Sequence, residues 1–291
     1  MLLSTLRLLV RCWPLPCGKT RLTYWGARLL CSTPQVFRIP DNRKFVLQFP
    51  RDRGWESLIL TGTFETGTTT VLRRLLHPGA ITFDVGANIG WYTTLFAVSA
   101  PRGHCHAFEP QPSVFEQLVV NSRMNGIDDK VTLNNVALAD RAGTTTLYRF
   151  SRQPHGHASM APTIGVSAQE ITCNTTTLDQ YRQEHSVERV DLIKVDVEGA
   201  ELLVLKGAEG SISLECPPMW LLEINFETSG AFGYTPFDLL NFLAERDDFR
   251  FFRIVKGWGE IVPMNNVGDC AQADNVLCIP PEHMTRVGSI V

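Results

Sequence analysis

The 291-residue chain lacks the cysteine spacings that announce a metal. Its eight cysteines, at positions 12, 17, 31, 105, 173, 216, 270 and 278, form no C-x-x-C pair, and no Cys/His grouping has zinc-ligand spacing. Cys105 and Cys278 fall inside apolar, strand-like runs, so these residues read as buried, reduced thiols of an intracellular protein. No stretch approaches the ~18–20 consecutive apolar residues of a membrane span. A basic excess is also missing. With 27 basic and 30 acidic residues the net charge is −3, which leaves no case for nucleic-acid binding by phosphate neutralisation. No internal repeat or low-complexity tract is present. The composition is that of an ordinary globular protein, 44% hydrophobic and 20% charged, with length for one large domain or two small ones.

Acidic residues are absent from the first forty positions, which carry Arg7, Arg11, Lys19, Arg21, Arg28 and Arg38. The remainder holds 21 basic and 30 acidic residues, a net of −9. Arg7 and Arg11 lie one helical turn apart in an apolar segment, the pattern of a short basic amphipathic helix. Such a leader reads as a helix packed on the domain or touching a membrane surface, with a mitochondrial presequence as the alternative. A secretory signal fits less well, because Pro14 and Pro16 follow a short apolar run without a small-residue cleavage site. The expected location is cytoplasmic, with mitochondrial the alternative.

Four segments are expected: a leader over 1–40, a strand-and-helix extension over 41–79, a main domain over 80–280 and a tail over 281–291. In the extension, Lys44 to Phe49 alternates like a strand, and Phe64 to Leu76 suits a helix stopped by His77-Pro78-Gly79. Beyond Ala80 the pattern alternates: strands over 80–84, 104–109, 130–135, 190–195 and 218–224, helices over 89–99, 112–124, 200–208 and 236–246. Near-continuous apolar strands between helices imply a doubly wound α/β fold with a mostly parallel, Rossmann-like sheet. An insert over 143–178 holds strand-like pieces around a Gly/Pro/Ser/His-rich loop. The chain end, Phe249–Val255, Glu260–Val262 and Asn275–Ile279, reads as an antiparallel, hairpin-like finish with a turn at Lys256-Gly257-Trp258-Gly259.

The most informative stretch is Ile81-Thr82-Phe83-Asp84-Val85-Gly86-Ala87-Asn88-Ile89-Gly90, a buried strand running into a glycine-punctuated turn that opens a helix. Such a turn brings bare backbone against a nucleoside. A pyrophosphate-binding G-x-G-x-x-G would need glycine at Asn88 and Trp91, so an NAD-dependent oxidoreductase is the weaker reading and a nucleoside without phosphates the stronger. Glu109 ends the second strand, 23 residues after Gly86, where a carboxylate binds ribose hydroxyls. Asn135 and Val136 end the third strand and are positioned for the adenine edge. The fourth strand ends in Lys194-Val195-Asp196-Val197-Glu198, three alternating ionisable residues that are costly to bury without a purpose. For Glu198, a charge at a helix N-terminus is the competing reading. Glu223 and Asn225 end the fifth strand. Asp196, Glu223 and Asn225 offer oxygen donors, but such sets are common at strand ends and no metal is assigned. His157 lies in the insert, as a base or as an exposed loop residue.

The block Asp84–Gly90 looks like the first motif of class I S-adenosylmethionine-dependent methyltransferases. Taken in order with Ala107-Phe108-Glu109-Pro110, Thr177-Leu178-Asp179, Ile193 to Glu201 and Leu221-Leu222-Glu223-Ile224-Asn225, it resembles the FkbM family of methyltransferases, from about residue 60 to 280. Upstream, Gly62-Thr63-Phe64-Glu65 resembles that family's Gly-x-aromatic-Glu element, which turns Glu65 toward the pocket. The resemblance implies an S-adenosyl-L-methionine site and methyl transfer to a hydroxyl of a small molecule or glycan, with no nucleic-acid partner. On that basis Asp84, Gly86, Ala87, Asn88 and Gly90 take the methionine and sulfonium end, Glu109 the ribose, and Asn135 and Val136 the adenine. Asp196 and Glu198 position and deprotonate the acceptor, and Lys194, Glu223, Asn225, His157 and Glu65 line its pocket. A non-catalytic cofactor-binding module is the remaining alternative, and the oligomeric state is open.

Overall fold

The computed structural model describes Arg28 and residues 32–48, 51–150, 157–162, 167–255, 259–272 and 275–287. The expected leader helix and positions 256–258 of the expected turn lie outside these residues. Among the described residues no helix is long and apolar enough to cross a membrane.

In chain order the elements are β1 (Gln35–Arg38), β2 (Lys44–Leu47), α1 (Glu56–Thr61), α2 (Thr66–Leu75), β3 (Ile81–Val85), α3 (Trp91–Ser99), β4 (His104–Phe108), α4 (Pro112–Asn125), β5 (Val131–Asn134) and β6 (Ala137–Leu138). The insert contributes β7 (Gly143–Phe150), β8 (Ala158–Ser159) and β9 (Ala168–Thr176). Then come α5 (Leu178–Glu184), β10 (Leu192–Val195), α6 (Glu201–Lys206), α7 (Glu209–Ile212), β11 (Met219–Glu223), α8 (Phe226–Ala231), α9 (Pro236–Ala244), β12 (Arg250–Ile254), β13 (Ile261–Pro263) and β14 (Asn275–Ile279).

The main sheet has the order β13-β12-β14-β11-β10-β3-β4-β5. Its β11-β10-β3-β4-β5 portion is parallel throughout. Strand order reverses between β3 and β10, which makes that pair the switch point where doubly wound sheets open a ligand crevice. The expected hairpin exists as β12 with β13, but β14 slots between β12 and β11, so the antiparallel strands extend the main sheet. The three insert strands join β6 in a separate four-stranded sheet, β6-β9-β7-β8.

Side-chain alternation divides the core into two layers. Leu192, Leu221 and Leu277 pack with Leu95 and Phe96 of α3 and with the extension residues Phe45, Leu58 and Leu72. Ile193, Trp220, Leu222 and Val276 pack with Val204 of α6 and with Leu239, Leu240 and Leu243 of α9. The extension is tied down by polar contacts too. Val46 N–H donates to Asn121 Oδ1 and Lys44 N–H to Asn125 Oδ1, each at 2.8 Å, so β2 runs along α4. This docking brings Trp55 and Glu65 over the carboxyl ends of β3 and β10.

Candidate active site

A cavity of about 330 Å³ opens at the carboxyl ends of β3, β4 and β10. One wall is the backbone of Gly86, Ala87 and Asn88 with Glu109, Gln111 and Val136. The opposite wall is Glu65, Tyr92, Lys194, Asp196, Glu198 and Glu223, and Leu147, His157, Ala158 and Met160 of the insert cover it. Gly86 has φ +80°, and a Cβ there would sit 1.8 Å from the Asp196 carbonyl oxygen, so only glycine lets the ends of β3 and β10 approach this closely. Gly90, also at positive φ, starts α3 and lies off the cavity wall.

Glu109 is buried, and its two carboxylate oxygens are fixed separately. Oε2 accepts from Asn88 N–H and Oε1 from Gln111 N–H, both at 2.9 Å. Burial raises its pKa to about 7, against the opposing pull of those two N–H groups. Asn135 does not reach the wall. Its amide donates to the carbonyls of Glu109 and Pro110, bracing the end of β4, while Val136 lines the cavity.

Asp84 departs from the expectation of direct contact. Alternation turns it to the α3 side of β3, opposite Phe83 and Val85. There it is fully buried, accepts from Thr93 Oγ1 at 2.6 Å and stands beside Lys194 on the neighbouring strand. Burial pushes its carboxyl up, partly opposed by the Lys194 ammonium. It is therefore a support behind the wall. Lys194 Nζ lies 3.0 Å from Asp196 Oδ2 and 4.9 Å from the Tyr92 ring centre. Burial would lower its pKa, but Asp196 and then Asp84 outweigh that and hold it charged. In return Lys194 outweighs burial at Asp196 and keeps that carboxylate below its ordinary range.

Glu198 occupies a left-handed backbone conformation, φ +54°, and ties the insert to the sheet. Its carbonyl accepts from Ser159 Oγ at 3.0 Å and its carboxylate pairs with His157 Nδ1 at 2.6 Å. The helix-start role belongs instead to Glu201, which accepts from the N–H groups of Val197 and Gly199 and from the Tyr234 hydroxyl. Asn225 is also reassigned. Its side chain caps α8 by accepting from Glu227 N–H and Thr228 N–H, and it does not line the cavity. Glu65 does line it, accepting from the Tyr92 hydroxyl. Tyr92, Trp55 and Gln111 are wall residues that periodicity missed, because Trp91 to Ser99 reads as an ordinary apolar helix.

The lining tests which ligand fits. Five carboxyl groups face the cavity: Glu65, Glu109, Asp196, Glu198 and Glu223. Its two cationic side chains, Lys194 and His157, are each engaged by one of them. Among the described residues, no wall cation stands clear to neutralise a pyrophosphate. A bare-backbone turn and a fixed carboxylate in an acidic cavity suit a phosphate-free nucleoside carrying positive charge, as S-adenosylmethionine does.

The fold defines a doubly wound α/β domain of the class I methyltransferase type. Residues 84–251 match the methyltransferase FkbM domain, and the chain belongs to that family. It is 27% identical over 161 residues to the 31-O-demethyl-FK506 methyltransferase FkbM of Streptomyces tacrolimicus, covering 46% of this chain and 61% of that protein. It is 30% identical over 159 residues to the hexuronic acid methyltransferase AglP of Haloferax volcanii, covering 50% and 58%. Against the 2-O-methyltransferase NoeI of Sinorhizobium fredii the figures are 27% over 157 residues, 49% and 63%. The matches thus span less than two thirds of each of these relatives.

Proposed function

We propose that this chain is an S-adenosyl-L-methionine-dependent methyltransferase acting on a hydroxyl oxygen of a small molecule or sugar. The observation that carries this reading is the Lys194–Asp196 pair at the β10 end, directly across the switch point from the glycine turn. Family membership and relatives named as a 31-O-demethyl-FK506 methyltransferase and a hexuronic acid methyltransferase support it. When bound, S-adenosylmethionine supplies an electrophilic methyl group on a sulfonium.

The chain's own residues do the rest. Glu109, gripped by two backbone N–H groups, accepts hydrogen bonds from the ribose hydroxyls, and the Gly86–Asn88 backbone lies along the nucleoside. Asp196, kept ionised by Lys194, takes the proton of the acceptor hydroxyl at a carboxylate oxygen. Glu198 with His157 orients the acceptor and holds the insert over it, which limits water. Glu65, held by Tyr92, and Trp55 shape the outer end, where an aromatic face beside carboxylates suits a polyol. The segments 41–79 and 80–280 work as one catalytic body, since the extension supplies part of the acceptor wall. Calorimetry with S-adenosylmethionine and with NAD is the first test, followed by transfer of a labelled methyl group to a panel of sugars and polyols. Saturable binding of S-adenosylmethionine alone is expected; tight NAD binding, or no binding of either, would overturn the reading.

A further inference from the structure

Glu223 contacts Asp196 in a way the transfer scheme above does not use. Val195 is in register with Leu222, so the next residues, Asp196 and Glu223, are cross-strand neighbours one strand spacing apart. Alternation puts both on the same face as Lys194. Both side chains line the same cavity. Glu223 Oε2 is buried with no hydrogen-bond partner among the described residues. Among the described residues the cation on this face is Lys194, whose Nζ lies 3.0 Å from Asp196 Oδ2. Around Glu223 the other charges are acidic: Asp196 first, then Glu198 from the β10–α6 loop and Glu201 from α6, with His157 already paired to Glu198. Ionising both of two neighbouring buried carboxyl groups is strongly disfavoured, and a hydrogen bond between them needs a proton.

We propose that Asp196 and Glu223 share one proton, resident on Glu223, so that Glu223 is a positioning acid and Asp196 the single ionised carboxylate of the pair at neutral pH. Glu223 O–H donates to Asp196 and aims the free lone pairs of Asp196 into the cavity. When the acceptor O–H bond breaks and an Asp196 O–H bond forms, the pair passes from one proton to two and from charge −1 to neutral. No second anion is then left beside the reacting oxygen. The repulsion from Asp196, together with burial, is in keeping with a Glu223 pKa near 10. The assignment to acceptor deprotonation rests on the proposed methyltransferase reading; the shared proton does not.

The test is therefore made on the protein without acceptor. In the unfolded chain Glu223 is ionised above its ordinary pKa of 4.5, while the native protein keeps the proton. One extra native proton makes the unfolding equilibrium constant grow tenfold per pH unit. Urea unfolding at pH 6, 7 and 8 is expected to show wild type losing stability relative to Glu223→Gln by that factor per unit. Gln is isosteric with the neutral acid and does not titrate. Parallel pH dependence in the two proteins would overturn the proposal. Should Glu223→Gln not fold, infrared titration of the Asp84→Asn, Glu109→Gln background decides: a protonated-carboxyl stretch persisting above pH 8 is expected, and its absence overturns the shared proton. Calorimetry of wild type with S-adenosylmethionine runs alongside. Failure to bind would remove the methyltransferase reading while leaving the proton result standing.

Discussion

Replacing Glu109 with Gln gives a signature in which stability and affinity respond oppositely to pH. In the native protein each Glu109 oxygen accepts one backbone N–H, from Asn88 and from Gln111. A glutamine has one acceptor oxygen, so one of those N–H groups faces an NH₂ and goes unpaired, costing about 1–3 kcal/mol. Against this stands the burial that lifts the wild-type pKa from 4.5 to about 7. Below pH 4.5 both folded and unfolded states hold the proton. Between 4.5 and about 7 the unfolded chain releases it and the native state does not, so wild-type stability falls as pH rises. The whole gap corresponds to on the order of 3 kcal/mol. The variant does not titrate and escapes that loss. At pH 5 Glu109→Gln is thus expected to be the less stable protein; by pH 8 the two urea midpoints should meet or cross. Affinity for S-adenosylmethionine should run the other way. At pH 8 the variant loses a charge-assisted hydrogen bond, roughly tenfold or more in Kd, and at pH 5, where wild type is itself protonated, the difference shrinks. Stability curves that stay parallel from pH 5 to 8, or equal affinities at pH 8, would refute the reasoning.

Other perturbations probe the parts around Glu109. Gly86→Ala adds a Cβ into the Asp196 carbonyl at a left-handed φ, and should cost at least about 2 kcal/mol in urea unfolding and weaken cofactor binding; a wild-type midpoint would deny the contact. Lys194→Met strips the buried cation from between Asp84 and Asp196, with an expected loss of about 3–5 kcal/mol, and adding Asp84→Asn should restore part of it in a double-mutant cycle. His157→Ala breaks a pair whose histidine is 41% exposed, so the stability change should stay below about 1 kcal/mol. The Glu198 contact outweighs burial and raises the His157 pKa, so what the pair contributes is present below pH 6.5 and lost as pH rises through the raised value. Melting of wild type and variant should therefore differ more below pH 6.5 than at a pH above the raised value. Asp196→Asn is expected to spare S-adenosylmethionine affinity while slowing methyl transfer about a hundredfold or more, and unimpaired turnover would remove Asp196 as the base.

The parallel strands were readable in the sequence because strands covered on both faces are runs of apolar residues: 104–108, 131–134, 192–195 and 219–223 fall within the expected ranges, and 81–85 overruns the expected 80–84 by one residue. Which way a strand-end acid points was not readable from those runs. Asp84 and Glu109 look alike on paper, yet Asp84 sits within β3 under α3 while Glu109 follows β4 and curls toward the turn. The same limit applies to Glu198 and Glu201: either could complement a helix start, and only the loop geometry gives that task to Glu201. Asn225 reads as a cap only when the short helix behind it, Phe226–Ala231, is recognised, and six residues carry too little periodicity for that. Tyr92 went unseen because α3 is apolar almost all round and buried on nearly every face, so its one polar atom carries no pattern. The partner that makes that hydroxyl informative, Glu65, lies 27 residues earlier in the chain.

The five acids around the crevice each have a different nearest partner, and for Glu109, Asp196 and Glu223 that partner sets the charge state. Glu109 has two amides, which hold its geometry but oppose burial only in part, and it titrates near neutrality. Asp196 has an ammonium and stays ionised; Glu223 has Asp196 and keeps its proton. Glu198 has an imidazole from the insert, and Glu65 a phenol from α3. Were Lys194 moved one residue along β10, alternation would carry it to the opposite core layer, and Asp84 and Asp196 would lose their common cation together. The sharpest constraint on the site is therefore the parity of β10. Lys194, Asp196 and, across the register, Glu223 fall on one face, and a single-residue insertion between 192 and 196 should abolish folding stability and cofactor binding in one step.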